Sequence, residues 1–291
     1  MTSVSVGIGL AFVAMLCWGF GDFLIQKSTR KIGDWETLFF MTAFGALVLL
    51  PFVWKSLPTA FENQAFTILL LTSLILFIAA LIDFEALKEG KLAVVEPIWS
   101  FEVPMAAFLA FIIIGERISG LQMFLVLALI IFLMLVAFRE KKITKKLFME
   151  KGVYLAFLGA MLMGSANFFM GWSGRVTDPL MVNFFTDAFI MILTGLYLVS
   201  KGRFLSLGRD LKNGYQVLLP MSIFDKVAWI AFVFSMTLAP IAIATALSES
   251  YIIIAVLMGL FVNREKILTH QKVGLVGAVV TVIVLSVITA G

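Results

Sequence analysis

Residues 18–40 read WGFGDFLIQKSTRKIGDWETLFF, and residues 163–185 read MGSANFFMGWSGRVTDPLMVNFF. Laid over each other at an offset of 145, they share six of 23 positions: Gly19/Gly164, Phe23/Phe168, Ser28/Ser173, Arg30/Arg175, Phe39/Phe184 and Phe40/Phe185. Asp22 falls on its isostere Asn167. Further along, Glu116-Arg-Ile-x-x-x-Gln122 matches Glu265-Lys-Ile-x-x-x-Gln271. Two matches in the same order, at nearly the same offset, indicate a duplicated unit.

The unit is built for lipid. Of 291 residues, 62% are hydrophobic and only 14% charged, against about 45–50% and 25% in soluble domains. The mean hydropathy is +1.07, and the excess runs along the whole chain. The basic residues sit in short gaps between apolar runs, which argues against nucleic-acid binding. A single cysteine, Cys17, excludes an internal disulfide. A single histidine, His270, argues against a conventional metal site. The first ten residues, MTSVSVGIGL, lack the positive start of a signal peptide, so the first apolar run is expected to be a retained span.

A spanning helix needs about 20 apolar residues. Ten such runs are expected, at 5–25, 35–54, 65–85, 91–114, 119–138, 152–173, 179–199, 216–239, 240–262 and 269–289. Pro179 and Pro240 fall at helix starts, where proline is tolerated. Ser119-x-x-Gln122 has the form of a capping box opening the fifth helix. The longest polar connection divides the chain into repeats 1–138 and 152–291, joined by a basic loop at 139–151. The expected fold is an all-α integral membrane protein of ten transmembrane helices, in two inverted five-helix repeats. The inversion follows because an odd number of crossings turns the second copy upside down.

Charge agrees with it. Gaps on the side opposite the N-terminus hold 18 Lys and Arg; the N-terminal side holds three, Lys55, Arg117 and Arg175; Lys226 lies within a helix. Lys27 and Lys31 become Trp172 and Val176 in the second copy, where that loop has changed sides. The positive-inside rule puts the basic side in the cytoplasm and both termini outside. The expected location is a cell membrane, crossed many times.

The repeats, the Trp-Gly of the first helix and Gly115-Glu116-Arg117 after the fourth resemble the drug/metabolite transporter superfamily, in particular its ten-helix EamA-type members. Asn263-Arg264-Glu265-Lys266-Ile267, followed by Gln271 and Gly274, is similar to the family's repeat ending. Leu125 stands where the second copy has Gly274, and Tyr251-Ile252-Ile253 where the ninth helix usually has a proline. The resemblance implies secondary transport of small metabolites or amino acids, often export, with no cofactor and no ATP site. It also implies cytoplasmic termini, against the charge count.

Glu102, Asp187, Asp225, Lys226 and Glu249 fall near mid-depth of their spans. Exposed to lipid, five such groups would cost on the order of 10 kcal/mol, so they are expected to face one another or a wet cavity. Lys226 is the one positive partner among them, and its neighbour Asp225 points another way on a helix. An acid on another helix is therefore its expected partner, and one base cannot neutralise four acids. In the fourth helix, Pro97 and Pro104 each free a carbonyl, and Glu96 and Glu102 flank the expected break. Both are expected to line the substrate or ion pathway with the mid-depth charges; a packing kink with Glu96 snorkelling to the basic side is the alternative. Trp18, Trp99, Trp229 and Tyr251 lie inside spans; Trp99, Trp229 and Tyr251 are further in, deep enough to stack on a substrate or a cation. Trp229 is one turn from Asp225. Trp54 and Trp172 read as interface anchors. Glu116 and Glu265 are either gate residues or loop carboxylates favoured by a helix N-terminus, and their recurrence favours the structural role.

The expected function is transport of an amino acid or an amine-bearing cation by alternating access, with protons as one option for coupling. The partners are a small-molecule substrate and the bilayer, with the monomer as working unit. Gly19-Phe20-Gly21-Asp22 raises a second class, the intramembrane aspartyl proteases. These need a second aspartate from an earlier helix; nothing precedes Asp22, and Asp83 lies downstream without the family's tyrosine. A non-transporting sensor on the same fold is a third class.

Overall fold

The computed structural model describes residues 2–89, 98–137, 151–261 and 268–291. Among these the regular elements are all helices, because backbone in hydrocarbon must satisfy its own polar groups. They are α1 (Ser3–Ile32), α2 (Asp34–Val53), α3 (Asn63–Glu89), α4 (Glu102–Ile114), α5 (Gly120–Ala137), α6 (Lys151–Val176), α7 (Pro179–Ser200), α8 (Leu207–Leu238), α9 (Ile241–Ser248), α10 (Tyr251–Phe261) and α11 (Thr269–Ala290). Eight of them, α1–α3, α5–α8 and α11, are long and apolar enough to cross a bilayer.

Local sequence sets the ends. Thr2 caps α1 by accepting from Ser5 N at 3.2 Å. Gly33, at φ 106°, turns α1 into α2 in a single residue, a conformation that glycine alone takes without strain. Asp178 caps α7, accepting from Leu180 N and Met181 N at 2.8 and 3.1 Å, with Pro179 in the first turn. The expected capping box is present: Ser119 N donates to Gln122 Oε1 at 2.8 Å, and Gln122 N to Ser119 Oγ at 3.2 Å. α8 starts earlier than the sequence suggested, at Leu207 rather than 216. Its added turns carry Arg209 and Lys212, both exposed.

Two expected spans differ more. Within the run 91–114, Ile98–Trp99 are helical, a turn falls at Ser100–Phe101 and α4 follows from Glu102; the run 240–262 is interrupted at Glu249–Ser250. Pro104, expected beside a break, follows the turn at Ser100–Phe101. It sits in the first turn of α4, where its missing N–H would have had no partner; Pro97 and Glu96 lie outside the described residues. The second break has no proline. Ser250 Oγ donates back to Ala246 O at 2.8 Å, a competitor for the helix ladder, and Ser250 N turns to Leu247 O at 3.2 Å. The two breaks are 149 residues apart, the offset that separates Glu116 from Glu265.

Packing repeats the duplication. α1 lies along α8, and α6 along α3; α2 meets α7, and α5 meets α11; α4 lies on α6, and α9 and α10 lie on α1. Exchanging the two repeats returns the same set of pairs. The shared glycines show why at atomic scale. A Cβ on Gly19 would sit 2.6 Å from Ile254 Cβ, and one on Gly164 would sit 2.5 Å from Glu102 O and 2.8 Å from Met105 Cβ. Met105 and Ile254 are themselves 149 apart. Each glycine lets the first helix of its own repeat approach the broken element of the other, as small residues do in membrane bundles.

The glutamines that open α5 and α11 also work as a pair. Gln122 Nε2 donates to Thr289 Oγ1 at 3.1 Å, and Gln271 Nε2 donates to Val136 O at 2.9 Å. Outward faces carry exposed Leu47, Phe52, Phe108, Phe124, Leu196 and Val276. So broad an apolar exterior suits acyl chains rather than water.

Candidate functional site

Asn167, on α6 and 1% exposed, joins the two broken elements. Its Nδ2 donates to Glu102 Oε2 and to Glu249 Oε1, each at 3.3 Å. Glu102 opens α4 and is buried; Glu249 stands in the turn between α9 and α10 and is half-buried. An amide has two N–H donors, and here each serves a carboxylate from a different repeat. The asparagine fixes where the two acids point and adds no charge. Gly164, one turn before it, admits the Glu102 backbone.

A second ionic group lies between α2, α7 and α8. Lys226 Nζ pairs with Asp187 Oδ2. Both are buried, as is Asp225, whose carboxylate takes the Trp229 indole N–H from one turn along α8. Lys226 thus meets an acid on another helix, while adjacent Asp225 points elsewhere. Gly45 of α2 makes room: a Cβ there would collide with the Asp187 carboxylate and Lys226 Cε.

Aromatic rings run between the groups. Trp18 of α1 meets Trp229 edge-on at 5.3 Å, Phe232 at 5.0 Å and Tyr251 at 6.4 Å between centroids. Tyr251 follows Glu249 by two residues. Glu102, Asn167 and Glu249 thus come together, and Asp187, Asp225 and Lys226 come together, with Trp18, Trp229 and Tyr251 from one to the other. Trp99 is apart from both, beside Asp83 at the end of α3. The side chain of Asp22, and Glu265, lie outside the described residues.

Glu116 is a structural tie. Its Oε2 is 2.8 Å from Arg175 Nη2, and its Oε1 accepts from Ala242 N at 3.3 Å. Arg175 also donates from Nε to Met236 O at 2.8 Å and from Nη2 to Ala239 O at 3.0 Å. This one pair holds the end of α6, the end of α8, the start of α9 and the loop after α4. A cavity of 210 Å³ lined by Ala107, Phe111, Glu116 and Ala242 opens beside this tie, not at the buried acids.

Sequence reasoning missed two residues of this arrangement. Gly45 gave no signal beyond being a glycine in an apolar run. Asn167 was visible as the isostere of Asp22, but not as the group that two distant glutamates share.

The sequence model of the EamA-like transporter family matches residues 5–138 and again 150–287. The chain belongs to the EamA-like transporter family. Both matched segments contribute to the Asn167 site: Glu102 comes from the first, Asn167 and Glu249 from the second. A search of curated proteins finds no match. A solved structure described only as the crystal structure of a protein superposes with a TM-score of 0.76 at 13% identity, over 98% of this chain and 97% of that one. At that identity the likeness is one of fold. An EamA-like chain with eight helices, among the described residues, long and apolar enough to cross a bilayer is a multi-pass membrane protein of a transporter family, in the drug/metabolite transporter class.

Proposed function

We propose that this protein is a secondary transporter of an amino acid or another small amine-bearing solute, and that the carboxylates joined by Asn167 hold the cargo's amine. The observation that carries the reading is the shared amide: two acids, one from each repeat, are aimed at one place where both broken elements meet α6. Broken helices beside ionisable groups are how membrane transporters present polar groups at depth. Glu102 and Glu249 alternate between proton and cargo, which gives antiport. Asp225, Lys226, Asp187 and Trp229 form the neighbouring charged wall, with Trp18 and Tyr251 between.

The working architecture in this reading has ten crossings. The broken elements are the fourth and ninth, each spanning as two short segments. The repeats, 1–138 and 152–291, are inverted about the basic loop 139–151. The exchange of packing partners and the matched Gly19 and Gly164 contacts support this, as does the Lys and Arg bias. The halves rock about the central site in a single subunit of a cell membrane.

The test is flux. Purified protein in liposomes is given a pH gradient and a panel of labelled amino acids and amines, preselected by thermal shift. Uptake or release should follow the gradient, and Glu102→Gln and Glu249→Gln should each abolish the proton-driven part. Undiminished proton-driven flux in both variants would sink the reading.

A further inference from the structure

The cavity of 210 Å³ beside the Glu116–Arg175 tie lies apart from the buried acids. Its walls come from α4, the loop after it, the first turn of α5 and the start of α9. Glu116 and Arg117 line it at the loop end, and Phe111 and Ala107 line it down α4. Ala107 lies seven residues before Ile114, the last of α4, which is about 10 Å along the axis. The cavity is therefore polar at the membrane edge and apolar toward the bilayer interior. A phospholipid carries its headgroup and chains in that same order.

Charge sets the sign of the occupant. The Glu116 carboxylate is taken by Arg175 and by Ala242 N. Arg117 is exposed and makes no ion pair or hydrogen bond among the described residues. Glu116, Arg175 and Arg117 together leave one positive charge at the loop end, which repels an ammonium and attracts an anion. A guanidinium offers two parallel N–H donors, the geometry that suits a phosphate.

Size and surroundings say where the anion comes from. A whole small-molecule ligand takes about 300–1,000 Å³, so this cavity holds only part of a molecule. The rest must lie outside, against the apolar exterior. Phe111 is 59% exposed and Met123 46%, and Phe108, Ile112 and Phe124 near them on α4 and α5 are exposed too. We propose that the cavity binds an anionic phospholipid of the bilayer, with its phosphate on Arg117 and the start of one chain between Ala107, Phe111 and Met123. A zwitterionic lipid brings an ammonium to the same guanidinium and binds more weakly. Ala242 of α9 completes the wall, so the lipid touches both broken elements. The site does not depend on what the protein carries.

The test reads the cavity itself. In a Cys17→Ser background, Met123→Cys places a thiol on the cavity wall. Maleimide labelling of the purified full-length protein is followed as dioleoyl phosphatidylglycerol or dioleoyl phosphatidylcholine is added to the detergent. Phosphatidylglycerol should protect the thiol at a concentration about tenfold or more lower than phosphatidylcholine, the worth of one charge-assisted hydrogen bond. Adding Arg117→Gln should bring the two lipids level, and an unchanged labelling rate without lipid shows that the variant is folded. Lys55→Gln, in the loop after α2 and outside the cavity, should leave the preference as it is. Ala107→Leu, which fills the cavity and keeps the charge, should weaken protection by both lipids. Equal protection by the two lipids, a preference that survives Arg117→Gln, or the same preference at a Leu196→Cys thiol on exposed α7 overturns the site. Protection by the water-soluble headgroup glycerophosphoglycerol as strong as that by the lipid makes the ligand a free phosphate and overturns the lipid assignment.

Discussion

Lys226 of α8 and Asp187 of α7 form an ion pair in the bundle interior, and Gly45 of α2 is the residue that lets them meet. Both partners are buried, so each depends on the other. Lys226→Met should strand Asp187 and destabilise the protein by about 3–5 kcal/mol. Adding Asp187→Asn should recover most of that. Thermal unfolding in detergent reads both, and a single variant as stable as wild type would contradict the pairing.

Gly45→Ala tests the same spot without touching charge. The added methyl has nowhere to go except into the pair, and overpacking of this kind costs about 1–3 kcal/mol. Gly9→Ala is the control, because a Cβ there meets nothing within 4 Å. Equal unfolding temperatures for the two variants would mean the Gly45 contact is soft.

Asn167→Asp places a third carboxylate between Glu102 and Glu249. The two hydrogen bonds become repulsions, and flux should fall about tenfold or more, a change of roughly 1.4 kcal/mol or above. Asn167→Gln, which keeps the amide, should retain more flux than Asn167→Asp. The opposite order would remove the amide from the mechanism.

Glu116→Gln should loosen the end of the bundle that Arg175 ties together. In a Cys17→Ser background, Ala242→Cys sits at a position 3% exposed. Losing the charge-assisted bond should speed its maleimide labelling by roughly tenfold in purified protein. Labelling at the same rate with Glu116 intact would make the tie dispensable.

The charge bias predicts termini outside the cytoplasm. Alkaline phosphatase fused after Gly291 should therefore be active, and a fluorescent protein fused there should be dark. The reverse pattern would put the basic loops outside and invert the assignment.

Much of the helical order was legible because lipid allows so few backbone solutions: a run of apolar residues has to be a helix. The break at Glu249–Ser250 was not legible. No proline marks it, and the serine that competes for the ladder looks like any other in an apolar run. Lys226 could be assigned a partner on another helix from the neighbouring Asp225, but Asp187 could be chosen only once α7 and α8 were side by side. Pro104 pointed to a break, and a turn at Ser100–Phe101 lies one turn before it; what the sequence did not show is that this proline then sits in the first turn of α4. Asn167 shows the limit most plainly. Its alignment with Asp22 told of shape, while its role depends on two glutamates 65 and 82 residues away.

The reciprocal glutamine contacts bear on motion. Gln122 fastens α5 to the far end of α11, and Gln271 fastens α11 to the far end of α5. The antiparallel pair is therefore pinned near both of its ends, and sliding one helix past the other by a single residue would break both bonds together. A rearrangement of the halves that kept both bonds would have to hinge at the α5–α11 seam.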